Sequence, residues 1–166
     1  MREPRAYLAP VPFLAILGAG ISGFLVANHY AYLSADFCSV ASWLDCNEVN
    51  QSAWSEILGI PVAAIGLAGF LVLLVLALDL RLREAPRFRP WQMLALAAVG
   101  VAFGLYLLGV ELLALHLFCL LCLVSLVLGI TILAFTALAF WSDRRGTRAP
   151  VPPEPAAADP GPKTDP

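Results

Sequence analysis

The sequence predicts an all-α membrane protein: a four-transmembrane-helix bundle with an outer loop carrying a short amphipathic helix. Three observations predict it. The chain is 60% hydrophobic and 13% charged, with a mean hydropathy of +0.82, whereas soluble domains carry about 25% charge. Four apolar runs each reach the roughly 20 residues that cross ~30 Å of hydrocarbon. The ten Lys and Arg residues all flank these runs on what the alternation of spans makes one side.

Residues 1–9, with Arg2 and Arg5, form the expected cytoplasmic N-terminus. The first span is Pro10–Leu33. It is too long for a signal-peptide core, and "LSADFCS" offers only a weak cleavage site after it. The loop 34–56 holds Asp36, Asp45, Glu48 and Glu56 and no basic residue. Its segment "NEVNQSAWSEILG" sets Val49, Trp54, Ile57 and Leu58 as apolar positions, which predicts an amphipathic helix across the bundle top. Span two, Ile57–Leu80, leads to Arg81, Arg83, Arg87 and Arg89, with Asp79 placed to pair with Arg81 or Arg83. Span three is Trp91–Leu113, a short turn follows near Glu111–Leu115, and span four is His116–Trp141, which closes a membrane domain over 10–145. Arg144, Arg145, Arg148 and Lys163 come after it.

Basic residues mark the cytoplasmic side. Both termini and the Arg-rich loop therefore face the cytoplasm, and loop 34–56 faces out. Trp43 and Trp54 fall at the outer interface, Trp91 and Trp141 at the inner one, as an aromatic belt requires. The tail 146–166 holds seven of the thirteen prolines and too little apolar surface to order itself, so it is expected to be disordered. No repeat and no phosphate-binding loop is present, and no nucleic-acid partner is expected. Arg far outnumbers Lys amid abundant Ala and Leu, the composition of a GC-rich bacterium.

The four cysteines carry the chemistry. Cys38 and Cys46 lie in the outer loop; Cys119 and Cys122 lie at the outer end of span four. All four thiols thus sit toward the oxidising compartment. The i, i+3 spacing of Cys119 and Cys122 puts both sulfurs on one helix face. A helix N-terminus favours an anion, and the thiolate is the species that exchanges disulfides. Cys122 lies one turn deeper, where a soluble protein cannot reach but a lipid-soluble molecule can. Two dithiol pairs, one in an exposed loop and one at the membrane, read as a relay. Electrons come from a soluble thiol outside and leave to an acceptor in the bilayer, for which quinones are the obvious two-electron class.

Several motifs together resemble the vitamin K epoxide reductase family over about residues 10–141. The loop cysteines in "CSVASWLDC" precede the helix pair that bears "FCLLC", and their seven-residue separation matches the animal enzymes. "CNEVNQSAW" puts Ser52 six residues after Cys46, where the family has its loop serine, and "LGIPVAAIGLAGF" looks like the family's second-span opening. Bacterial members of the family oxidise periplasmic DsbA-like proteins at the expense of quinone. The resemblance implies that Cys38 exchanges with a partner protein, Cys46 passes electrons to Cys119, and Cys122 faces the quinone. It implies that Ser52, Trp54 and Phe118 close or line the quinone pocket. Leu126 stands where the animal enzymes have a tyrosine, which argues against epoxide reduction. No thioredoxin-like domain is fused to the span-four end, so the partner is expected to be a separate thioredoxin-like polypeptide.

The acceptor is then menaquinone, ubiquinone or a vitamin K form, with no metal, and the chain sits in a bacterial cytoplasmic (inner) membrane. Other readings stay open. Cys119 and Cys122 can be inert core thiols, Cys38 and Cys46 a structural disulfide in a non-enzymatic tetraspan protein, or all four a zinc site. Vitamin K quinone or epoxide reduction is a further alternative. A DsbB-like oxidant is also four-spanning, but its CxxC comes first and its separated pair second, the reverse of this order. Glu111 and His116 bracket the outer turn and are either ordinary interfacial residues or proton carriers.

Overall fold

The computed structural model describes residues 6–34, 36–38, 41, 43–83 and 86–146. Four helices are long and apolar enough to cross a membrane: α1 (Val11–His29), α3 (Val62–Leu82), α4 (Pro90–Val110) and α5 (Leu120–Gly146). A short helix, α2 (Cys46–Gln51), lies in the connection between α1 and α3. The starts of α4, α3 and α2 follow from sequence. Proline opens α4 at Pro90, where its missing N–H costs nothing, and Gln92 accepts from the Arg89 N–H at 2.9 Å. Pro61 immediately precedes α3. Asp45 caps α2, accepting from the N–H groups of Asn47 (2.9 Å) and Glu48 (3.0 Å).

The most extensive interfaces are α1 with α3 and α4 with α5. Without a hydrophobic drive between helices in lipid, close approach depends on small residues. Gly18 supplies it in α1: a Cβ there would run into the Phe70 ring of α3. One apolar core fills the end of the bundle that holds the termini of α1 and α3, around Val11, Leu76, Met93 and Ile132. A second sits at the opposite end, around Leu25, Val49, Cys38, Cys46 and Cys119. Much of the apolar surface faces outward, as on Phe13, Val75, Val99 and Val127, which is the surface lipid covers.

The structure refines three boundaries. The amphipathic helix expected through "NEVNQSAWSEILG" is only α2; a single turn of 3-10 helix follows at Ala53–Ser55, and then a two-stranded hairpin, β1 (Glu56–Ile57) with β2 (Ile60–Pro61). Leu58 and Gly59 at its tip have φ of 55° and 79°, a turn that no helix can run through. The second span therefore starts at Val62, not at Ile57. The third ends in a π-helical turn, Glu111–Leu115, and His116 breaks it with φ 54°. The fourth starts at Leu120, because Phe118 just before it pairs with Leu44 of the loop. Asp79 does answer Arg83, at 2.7 Å, and also accepts from the N–H groups of Arg87 and Phe88. Arg81 instead donates to the Ala9 carbonyl (3.0 Å). Arg2, Arg5 and the tail from residue 147 lie outside the described residues.

Candidate functional site

The second core gathers the thiols. Cys38 and Cys46 form a disulfide, with Cα atoms 5.6 Å apart. Cys119 and Cys122 are free thiols. The disulfide and Cys119 are each 0% exposed and share one buried cluster, with Cys122 packed against it. The loop pair is therefore not exposed as its loop position suggested.

Backbone pairing brings the pairs together. Phe118 N–H donates to the Trp43 carbonyl (2.9 Å), and Asp45 N–H donates to the Phe118 carbonyl (3.2 Å). The loop segment before Cys46 thus runs alongside the residue before Cys119, as a parallel bridge between Leu44 and Phe118. The Trp43 and Phe118 rings meet edge to face at 6.3 Å. Cys119 consequently precedes α5 rather than lying inside it. Its sulfur takes the capping position, accepting from the Cys122 N–H at 3.3 Å. The Cys-x-x-Cys spacing is what such a cap needs, since a capping acceptor meets the N–H three residues on.

Polar residues on the other side of α2 fasten it to α1. Asn50 donates to the Leu25 carbonyl and to Asn28 Oδ1, both at 2.8 Å. Asn28 donates to Asn47 Oδ1 (2.7 Å) and to the Leu33 carbonyl (3.1 Å). His29 bonds the Asn50 carbonyl through Nδ1 (2.9 Å) and Glu56 through Nε2 (3.0 Å). Asn28, 1% exposed, and Asn50, 8% exposed, thus find partners within this network, as buried amides must.

Beneath the thiols a cavity of about 450 Å³ opens between α1, α3, α4 and α5, within the ~300–1,000 Å³ of small-molecule sites. Its wall is apolar apart from Ser22, Glu111, Cys122 and Ser125. The Ser125 hydroxyl is buried and has no hydrogen-bond partner. Beside it lies a cleft of about 70 Å³ lined in part by Asn50, Ser52 and Trp54; Glu111 borders both.

Of the residues expected around a ligand, Cys122 lines the large cavity, while Ser52 and Trp54 line the small cleft. The Ser52 hydroxyl donates to the Val49 carbonyl at the end of α2 (2.8 Å). Trp54 is half exposed. Phe118 lines neither space and works as the tether to Trp43. Sequence reasoning did not single out Asn28, Asn50 or Ser125. An asparagine in the last turn of a span was the available signal for Asn28, since an amide in lipid must find a partner. Residues 9–137 match the family model described as the vitamin K epoxide reductase family.

Proposed function

The chain belongs to the vitamin K epoxide reductase family, and from that premise we propose that it is a quinone-linked thiol oxidoreductase that reoxidises a separate thioredoxin-like protein outside the cytoplasm. Family membership makes the chain a VKOR-like integral membrane redox protein. The observation that supports the finer reading is the placement of the Cys38–Cys46 disulfide and Cys119 in one buried cluster while Cys122, one turn on, opens onto the apolar cavity.

The chemistry proceeds by exchange. The partner's dithiol reduces Cys38–Cys46: one thiolate attacks Cys38 and frees Cys46, and the partner's second thiol then displaces Cys38, so that the partner leaves with its own disulfide and Cys38 and Cys46 are both thiols. Cys46 then attacks Cys119 of an oxidised Cys119–Cys122 pair, and Cys38 resolves the resulting Cys46–Cys119 bond. The loop disulfide is restored and two thiols are left at Cys119 and Cys122. These give two electrons and two protons to a quinone in the cavity, which leaves as quinol. Ser22 and Ser125 are the hydroxyls on the wall that can hold a quinone oxygen. Disulfide pairing of Cys38 with Cys46 removes two of the sulfurs that a four-thiolate zinc site would use. Segregation of Lys and Arg supports a bacterial inner-membrane setting with both termini cytoplasmic and the thiols outside.

The relay is tested by cysteine replacement in membranes. Cys38→Ala should stop quinone reduction driven by a thioredoxin-like protein but spare reduction driven by a small dithiol. Cys119→Ala or Cys122→Ala should abolish both. In Cys38→Ala,Cys122→Ala, oxidation should trap a Cys46–Cys119 disulfide, read by peptide mass spectrometry. Undiminished quinone reduction in that double variant would exclude the relay.

A further inference from the structure

Glu111 is buried, at 4% exposed, and unlike the Asp79 carboxylate, which pairs with Arg83, it has no cation partner among the described residues. An ionisable group within a span is costly and needs a reason. Its surroundings give one. Oε2 accepts from the Cys119 N–H at 3.1 Å. The same carboxyl shares the wall of the large cavity with Cys122, whose N–H bonds the Cys119 sulfur (3.3 Å). It borders both the large cavity and the small cleft, and no other acidic or basic side chain lines either. The remaining polar groups facing it there are Ser22 of α1, Asn50 and Ser52 of the α2 segment, Ser55, and Ser125 of α5, none of which titrates in the working range.

The π-helical turn sets this placement. Glu111 opens it, and its carbonyl accepts from the Leu117 N–H (3.3 Å) as the chain reverses at His116. One turn of irregular helix thus lays the carboxyl against the start of α5, and the bond to Cys119 fixes its orientation.

We propose that Glu111 is the proton carrier between the Cys119/Cys122 dithiol and the bound quinone; the inference rests on the quinone-linked reading above. The carboxylate takes the Cys122 thiol proton. The S–S bond to Cys119 then forms as the electron pair passes to the quinone, and Glu111 hands its proton to one quinone oxygen. The Cys119 proton follows to the other oxygen through the same carboxylate. Two S–H bonds break, one S–S and two O–H bonds form, the dithiol is oxidised, the quinone is reduced by two electrons, and Glu111 ends as it began.

Two measurements on the full chain in membranes test this. The first is the rate and pH profile of quinone reduction by a small dithiol. Glu111→Gln keeps an acceptor for the Cys119 N–H, so insertion and the loop disulfide should survive. Its rate should fall about 100-fold or more, recover as pH rises and hydroxide removes the thiol proton, and return in large part in Glu111→Asp. The second is the infrared difference spectrum between dithiol and disulfide states, set with dithiothreitol and diamide and without quinone. Wild type should show a carboxyl band that changes with the redox state, and Glu111→Gln should lack it. A Glu111→Gln rate within threefold of wild type across pH, or a wild-type spectrum with no carboxyl change, overturns the proposal. The wild-type spectrum needs no variant and decides the matter even if the variants fail to insert. If wild type reduces no quinone at all, the quinone reading fails, while the infrared result still judges Glu111.

Discussion

Replacing Asn50 with Ala should release α2 from the top of the bundle without unfolding the spans. The side chain makes two buried bonds, to the Leu25 carbonyl and to Asn28 Oδ1, each 2.8 Å long. Loss of the first costs about 1 kcal/mol, because that carbonyl belongs to a helix. Loss of the second strands an amide oxygen on a residue 1% exposed, and a buried unsatisfied acceptor costs about 1–3 kcal/mol. The sum, about 2–4 kcal/mol, is roughly a 30- to 700-fold shift in the docking equilibrium at 1.4 kcal/mol per tenfold. Hydrogen exchange reads it directly. The amides of Val49 and Ser52, which bond the Asp45 and Val49 carbonyls, should exchange faster by about that factor. Those of Leu73–Leu80 in the opposite core should not. Asn28→Ala,Asn50→Ala should cost less than the two single changes added, since neither amide is then stranded. Equal acceleration in α2 and α3, or a change under threefold in α2, would refute the view that these amides dock α2 as a local unit.

Gly18→Ala should destabilise the bundle by about 1–3 kcal/mol through overpacking against Phe70. Gly104→Ala, which meets only the flexible end of Leu126 at 2.9 Å, should cost less, and Gly20→Ala, with open space, least; thermal unfolding in one detergent ranks them, and equal midpoints would contradict the packing argument. Ser125→Ala should raise the KM for quinone about fivefold, the worth of about 1 kcal/mol for one hydrogen bond, with an unchanged KM showing that the hydroxyl holds no ligand. In a cysteine-free background, Tyr32→Cys should react with an impermeant maleimide from outside intact cells and Pro86→Cys only after lysis, both positions being exposed; the reverse pattern would invert the topology. Asp36→Ala, which removes bonds to Ser34 (2.9 Å) and Asn47 (3.1 Å), should speed reduction of Cys38–Cys46 by a protein dithiol more than by a small phosphine, and equal acceleration would mean that access does not limit the protein.

What the sequence made legible were features with long-range signatures. Hydropathy located four spans, and Lys and Arg sorted their ends. Cysteine spacing paired Cys38 with Cys46 once the resemblance was admitted. The misplaced boundaries have local causes. Leu58 and His116 adopt positive φ without being glycine, so no turn residue announced the hairpin or the end of the π-helical turn. Phe118 reads as a pocket aromatic beside the Cys119/Cys122 pair, and only a backbone pairing across 75 residues of chain turns it into a tether to Trp43. Glu111 reads as an interfacial acid because periodicity ends just where the helix widens. Its burial is decided by where α5 begins, which no local pattern encodes.

Burial of the loop disulfide changes what access must mean. Cys38 is 0% exposed, so a protein thiolate cannot attack it in this arrangement. The segment carrying it, the 3-10 turn Asp36–Cys38, rests on side chains: Ser34 and Asn47 on Asp36, and Phe24 against Phe37 at 5.7 Å. Cys46 is held differently. It starts α2 behind the Asp45 cap, and the backbone on its N-terminal side is paired to Phe118. Side-chain contacts of this kind are worth about 1 kcal/mol each, and Cys38 also packs in the apolar cluster with Leu25 and Val49, so attack on its sulfur requires this turn to open. The two cysteines of the disulfide thus differ in the contacts described around them. In the proposed relay, opening of the Cys38 turn would present that sulfur to a partner while the Leu44–Phe118 bridge keeps the Cys46 segment beside Cys119.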